Sequence, residues 1–248
     1  MSVHLLDLDR IAAVSEFTAD PTISNIPELA AKIPNRIGRN AEQVIAAKPD
    51  LVIANPFSNK DLVKQIQDAG IALAAFDLAD LNDGYVAEIK VLAYIYGEEQ
   101  RGETFIKEIN AQLARIDAVT ARQDASKKPR VLFLQNNAYV SGEGSTGDGI
   151  IKRAGGINVA SENGISGTKQ ISLESIIKLN PDYIILGGSP ESNPKGFEQL
   201  TANPALAEVP AVKNKKFFGI KGTYLSSLSH WTLRGVEELV KILYPGQL

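Results

Sequence analysis

Glu42-Gln-Val-Ile-Ala-Ala-Lys-Pro49-Asp50-Leu-Val-Ile-Ala54 decides the fold, because the chain writes it twice. The second copy is Glu174-Ser-Ile-Ile-Lys-Leu-Asn-Pro181-Asp182-Tyr-Ile-Ile-Leu186. Glu42, Pro49 and Asp50 recur as Glu174, Pro181 and Asp182, each 132 positions later. Each copy reads as a short amphipathic helix, a Pro-Asp turn and a four-residue apolar strand. Proline stops a helix, and a continuous apolar run suits a strand buried on both faces. Two such units so far apart predict two similar α/β lobes.

Working outward, further strands are expected at Ile11–Val14 and Ala72–Phe76 in the first half. In the second half they are expected at Val131–Gln135, Ile157–Ala160 and Lys216–Ile220, beside the repeated strands Leu51–Ala54 and Tyr183–Leu186. Helices read at Asn59–Asp68, Gly149–Arg153, Leu173–Lys178 and Leu233–Leu243. Strands alternating with short helices predict parallel sheets. A helical stretch from Tyr85 to Gln123, broken at Gly97-Glu98-Glu99, joins the halves. This gives an amino-terminal lobe over 1–84, a connecting helix over 85–123 and a carboxy-terminal lobe over 124–248, two Rossmann-like lobes joined by one long helix.

The repeat also leaves a gap. Strand Val131–Gln135 precedes the Ile157 strand by 26 residues, but nothing stands in that place before Ile11. Either a leading strand and most of its helix lie upstream of Met1, which is the expectation, or this lobe survives incomplete. The first ten residues, MSVHLLDLDR, have neither the basic start nor the apolar run of a secretory signal.

Composition narrows the chemistry. The 248 residues are 44% hydrophobic and 22% charged, which is globular, and the net charge of -3 gives no electrostatic ground for nucleic-acid binding. No Cys is present, so a thiolate metal site, a disulfide framework and a Cys nucleophile are excluded. The two histidines, His4 and His230, lie at opposite ends with no zinc-type spacing, and no resident metal or cofactor is expected.

The series Asp9-Arg-Ile-Ala-Ala-Val-Ser15, Ile37-Gly-Arg-Asn-Ala-Glu-Gln43, Lys48-Pro-Asp-Leu-Val-Ile-Ala54, Ala69-Gly-Ile71 and Tyr96-Gly-Glu-Glu99 continues with Gly155-Gly-Ile-Asn-Val-Ala160, Ile171-Ser-Leu-Glu174, Asn180-Pro-Asp182 and Leu243-Tyr-Pro245. In this order and spacing nearly the whole chain resembles the substrate-binding proteins of ABC importers for iron-siderophores, haem and cobalamin. The resemblance implies the class III periplasmic-binding-protein fold and a ligand held between the lobes. It implies delivery to the importer's membrane permease, a monomer, and a periplasmic or extracellular lipid-anchored location. The family also carries a strand and helix before the Asp-Arg-Ile-Ala segment, in agreement with the repeat arithmetic.

Ligands of open α/β sheets lie beyond the carboxyl ends of the strands. That rule selects Asn55 and Phe57 after one strand, Asn136 and Tyr139 after another, and Tyr224, His230 and Trp231 after the last. The last three form an aromatic wall suited to a macrocycle or chelate. His230 is either a polar contact, a metal ligand or solvated, and Trp231 either lines the ligand or caps the core. Arg39, after Gly38, suits an anionic chelate, although Asn40 beside it reads as a helix cap. By region of the resemblance, Asp61 and Glu191 are the acids that meet arginines of the permease. The rival reading is an enzyme. Gly142-Glu-Gly144-Ser-Thr-Gly147 matches a dinucleotide-binding glycine pattern, and Ser226, Ser227 and Ser229 lie near His230.

Overall fold

The computed structural model describes residues 1–38, 40–54, 58–76, 84–135, 138–225, 227 and 229–248. The chain divides into two compact units, Met1–Ile109 and Asn110–Leu248.

The first unit runs α1 (Ser2–Leu5), β1 (Ala13–Ser15), α2 (Pro27–Ala31), β2 (Asn35–Ile37), α3 (Ala41–Ala46), β3 (Leu51–Ala54), α4 (Lys60–Asp68), β4 (Ala72–Ala75) and α5 (Gly84–Tyr96). Helix α6 (Glu99–Thr120) begins in it and carries the chain into the second unit. The break expected at Gly97-Glu98-Glu99 is present. Gly97 adopts φ +67°, and Gly102 of α6 sits so close to α5 that a Cβ there would lie 2.4 Å from the Ala93 Cβ. Among the described residues β1 pairs only with β2 and β3 only with β4, both in parallel.

The second unit continues β5 (Arg130–Gln135), β6 (Tyr139–Ser141), α7 (Thr146–Arg153), β7 (Ile157–Asn158), α8 (Val159–Glu162), β8 (Thr168–Gln170), α9 (Leu173–Leu179) and β9 (Tyr183–Gly187). Then follow α10 (Pro194–Thr201), α11 (Pro210–Lys213), β10 (Phe217–Ile220), α12 (Gly222–Leu225) and α13 (Thr232–Leu243). Its sheet is ordered β10-β9-β5-β6-β8. Strands β10, β9, β5 and β7 are parallel, whereas β6 is antiparallel to both its neighbours, β5 and β8. Strand β7 pairs with the start of β5 and β6 with its end, so one edge of β5 serves two partners.

The strand expected over Ile157–Ala160 is shorter than that. The Asn158 side chain accepts a hydrogen bond from the Ala160 N–H at 3.1 Å and turns the chain into α8. The repeat holds down to the backbone. Lys48 and Asn180, 132 positions apart, both adopt left-handed φ, 50° and 48°, immediately before the proline. Burial separates the copies. Ile53 on β3 is 39% exposed, but its repeat partner Ile185 on β9 is 1% exposed, because β9 is flanked by β5 and β10. Full burial of an isoleucine is worth about 1.5–3 kcal/mol, which β9 gains and β3 does not.

The second unit's core on one sheet face joins Leu132, Leu134, Ile184 and Leu186 to Ile176 of α9 and Leu200 of α10. Among the described residues no helix is long and apolar enough to cross a membrane.

Candidate functional site

The carboxyl end of β10 leads directly into α12, which carries Tyr224. The chain then turns through Ser227, Ser229 and His230 to Trp231, the residue that precedes α13. Thr232, fully buried, pins this turn. Its hydroxyl lies 2.8 Å from the Ser227 carbonyl and 2.9 Å from that of Ser229, and its N–H donates to Ser229 O at 2.9 Å. The turn therefore presents Trp231 parallel to Tyr224, with ring planes 1° apart and centroids 6.3 Å apart. His230 packs against Trp231 at 5.1 Å with its ring tilted by 37°. It is 7% exposed, which overturns the option of a solvated histidine. Gly235 of α13 lies beneath Tyr224, where a Cβ would meet the Tyr224 Cβ at 3.5 Å, an ordinary contact.

Lys221 adds a cation that the sequence reading passed over. Its Nζ lies 5.2 Å from the centre of the Tyr224 ring. The signal was its position, the first residue beyond β10 and three before Tyr224. Together these groups form a half-buried aromatic wall with a positive charge on one side, which suits the flat, anionic edge of a chelate. The nearby Glu238 carboxyl is pushed up by burial, against the lowering pull of Lys221 and Lys241.

Tyr139 lies on β6, 40% exposed, opposite Gln135 of β5 and Gln170 of β8. It is thus held at the carboxyl end of β5, where the strand-end rule put it. Arg39, Asn55, Phe57 and Asn136 lie outside the described residues. Among the described residues no three His, Asp or Glu side chains gather as a metal-ligand set.

Of the two surface acids, Asp61 is exposed in the first turn of α4, where Asn59 caps the Asp61 and Leu62 N–H groups at 2.7 and 3.3 Å. Glu191 is exposed in the turn after β9. The Ser189 hydroxyl donates to its Oε2 at 2.5 Å, and this bond, with one from its own backbone, holds the carboxyl below the usual range. Both acids present negative charge to solvent.

The glycine pattern is structural. Gly142 N–H donates to Gly167 O at 2.7 Å and Glu143 N–H to Ile165 O at 2.7 Å. Gly144 N–H donates to the Asp148 carboxylate at 3.2 Å and Ser145 N–H to Gly142 O at 3.2 Å. A Cβ on Gly142 would lie 2.1 Å from Ile165 O, and one on Gly147 2.6 Å from Ser141. Gly142 and Gly147 are required by close packing, and the Gly142, Glu143, Gly144 and Ser145 amides of the motif are already bonded. Asp148, 4% exposed, closes the motif from within. Burial alone would raise its pKa. Lys152 at 2.8 Å, the Ser161 hydroxyl at 2.6 Å, the Asn158 amide at 2.9 Å and the Gly144 N–H outweigh that and hold it below the usual carboxylate range.

Known proteins agree with this architecture. The molybdate-binding protein MolA of Haemophilus influenzae is 26% identical over 198 residues, 72% of this chain and 55% of its own length. Its molybdate-bound structure, described as the cognate binding protein of an ABC transporter, superposes with a TM-score of 0.69, covering 89% of this chain and 74% of that one. A cobalamin-binding protein of Halobacterium salinarum is 27% identical over 230 residues, 92% of this chain and 60% of its own length. The apo structure of the periplasmic heme-binding protein RhuT from Roseiflexus sp. RS-1 is 27% identical with a TM-score of 0.78, covering 96% of this chain and 90% of that one. The chain thus spans 55–60% of the length of those two curated relatives. The family described as periplasmic binding protein matches residues 3–224, and the chain belongs to that family.

Proposed function

We propose that this chain is the substrate-binding protein of an ABC importer, which captures a metal chelate and delivers it to the membrane permease. The observation that carries the reading is the Tyr224–Trp231 stack, with His230 and Lys221, at the carboxyl end of β10. An aromatic face flanked by one cation suits a flat ligand. Family membership supports the same role. The cargo is an iron-siderophore, haem or cobalamin. It is a ligand and not a resident cofactor, and Tyr139, Arg39, Asn55, Phe57 and Asn136 are the further residues proposed to contact it. The protein acts as a monomer in the periplasm, or lipid-anchored outside the cell, and Asp61 and Glu191 meet the permease.

The test is titration of the folded protein with ferric siderophores, haemin, cobalamin and molybdate, read by Trp231 emission and by calorimetry. Saturable binding of one chelate without chemical change supports the reading. Saturation by molybdate alone replaces a chelate with an oxyanion. Turnover of any of them, or of a nucleotide, overturns it in favour of the enzyme.

A further inference from the structure

The second unit contains a half-open cavity of ≈ 490 Å³ between its sheet and helices α9 and α10, walled by Leu134, Ile176, Leu186 and Leu200 among others. That volume is in the range of small-molecule sites. It does not belong to the aromatic wall. Side chains along a strand alternate between sheet faces. Leu132, Leu134, Ile184 and Leu186 face α9 and α10. Phe133 faces the other way, since a Cβ on Gly147 of α7 would come within 3.0 Å of its ring. Helix α7 packs against α13, and Tyr224 lies over Gly235 of α13. The cavity and the Tyr224–Trp231 stack are on opposite faces of one sheet.

The lining defines the ligand. It includes no charged residue. Its polar side chains are the amides of Asn203 and, exposed at the rim, Gln199; Gln135 borders it at the strand end, but its side chain bonds Ser141 on the α7 face. Gln199, exposed at the mouth, has an amide carbonyl to offer. Asn203 uses its carbonyl on the Ala205 N–H at 3.0 Å, which leaves an NH2. One acceptor and one donor thus stand over an apolar chamber. A carboxylate buried there would find no cation, whereas an amide or hydroxyl would find both of its partners.

We propose that this cavity is a second binding site, for an uncharged apolar ligand that carries one amide or hydroxyl group. It is distinct from the Tyr224–Trp231 wall, because it uses the other face of the sheet.

The experiment uses the full chain and the neutral fluorophore N-phenyl-1-naphthylamine, displaced by octanamide or by octanoate at pH 8. Saturable fluorophore binding is expected, with octanamide displacing it about tenfold more effectively than octanoate. Ala202→Phe, at an exposed position on the rim, is expected to lower fluorophore affinity about tenfold by filling the mouth while leaving cargo binding unchanged. Should that variant fold poorly, methyl NMR of the unaltered protein decides. Octanamide is expected to shift the Leu134, Ala138 and Ala202 methyls and to leave the Trp231 indole unmoved. Non-saturable fluorophore binding, equal displacement by octanoate, or shifts confined to Trp231 would each overturn the proposal.

Discussion

The Tyr224 and Trp231 rings are parallel to within 1° at a centroid separation of 6.3 Å, held so by a buried threonine that bonds the turn between them. An aromatic pair contributes about 0.5–1.5 kcal/mol beyond its buried area. Tyr224→Ala is therefore expected to weaken cargo binding about tenfold in calorimetry while circular dichroism stays unchanged. Because Trp231 is the sole tryptophan, its emission reports on this place alone. Unchanged affinity in Tyr224→Ala would remove the wall from the cargo site.

Asp61 and Glu191 are exposed, and neither forms an ion pair among the described residues, so their charge is open to a partner. Charge reversal, Asp61→Lys with Glu191→Lys, is expected to cut stimulation of the importer's ATPase in liposomes about tenfold or more, as expected for lost charge complementarity. Cargo affinity should not move. A double variant that stimulates as well as the parent would place the docking surface elsewhere.

Asp148 gives a pH-dependent stability. Its folded pKa lies below the usual value, so its contribution is complete above the unfolded pKa and is lost as pH falls through the folded one. Asp148→Asn places an amide donor against Lys152, Ser161 and the Asn158 amide. Urea unfolding at pH 7 should show a loss of about 2–4 kcal/mol. The gap between variant and parent is expected to narrow below about pH 4. A gap that stays constant into acid would show that the carboxylate charge is not what matters.

Gly142→Ala separates the packing role of the glycine loop from nucleotide binding. A Cβ at 2.1 Å from Ile165 O forces the strand-end loop apart, at a cost of about 1–3 kcal/mol. Neither form is expected to bind NAD in calorimetry. Saturable NAD binding by the parent, lost in the variant, would revive the dinucleotide enzyme.

The repeated Pro-Asp units were legible because proline and an apolar run act through local rules. The paired left-handed residues Lys48 and Asn180 confirm how local those rules are. The three strands β2, β6 and β8 were not legible. Asn35-Arg-Ile37 and Thr168-Lys-Gln170 carry almost no apolar signal, and Tyr139-Val-Ser141 is only three residues long. These strands form because β1, β5 and, for β8, β6 offer them hydrogen bonds, which is tertiary context. For the site, the strand-end rule selected Tyr139, Tyr224, His230 and Trp231 as candidates, and the structure sets Tyr139 beside the end of β5 and the other three after β10. It missed Lys221 because a charge beside a strand looks the same whether it faces water or an aromatic ring. The glycine pattern misled for the converse reason. Spacing alone does not reveal that Ile165 and Ser141, brought close by the fold, fill the space that side chains on Gly142 and Gly147 would need.

The two small parallel sheets of the first unit bear on the protein's behaviour at high concentration. Two strands rarely stand alone in water. Among the described residues β1–β2 and β3–β4 each end after a single pairing, and Ile53 adds a partly bare apolar side chain to one of them. Unpaired strand edges are templates on which another polypeptide can add its own strand. Self-association and fibre-like precipitation are therefore expected to begin in the first unit rather than in the second, whose central strand β5 is paired along both edges.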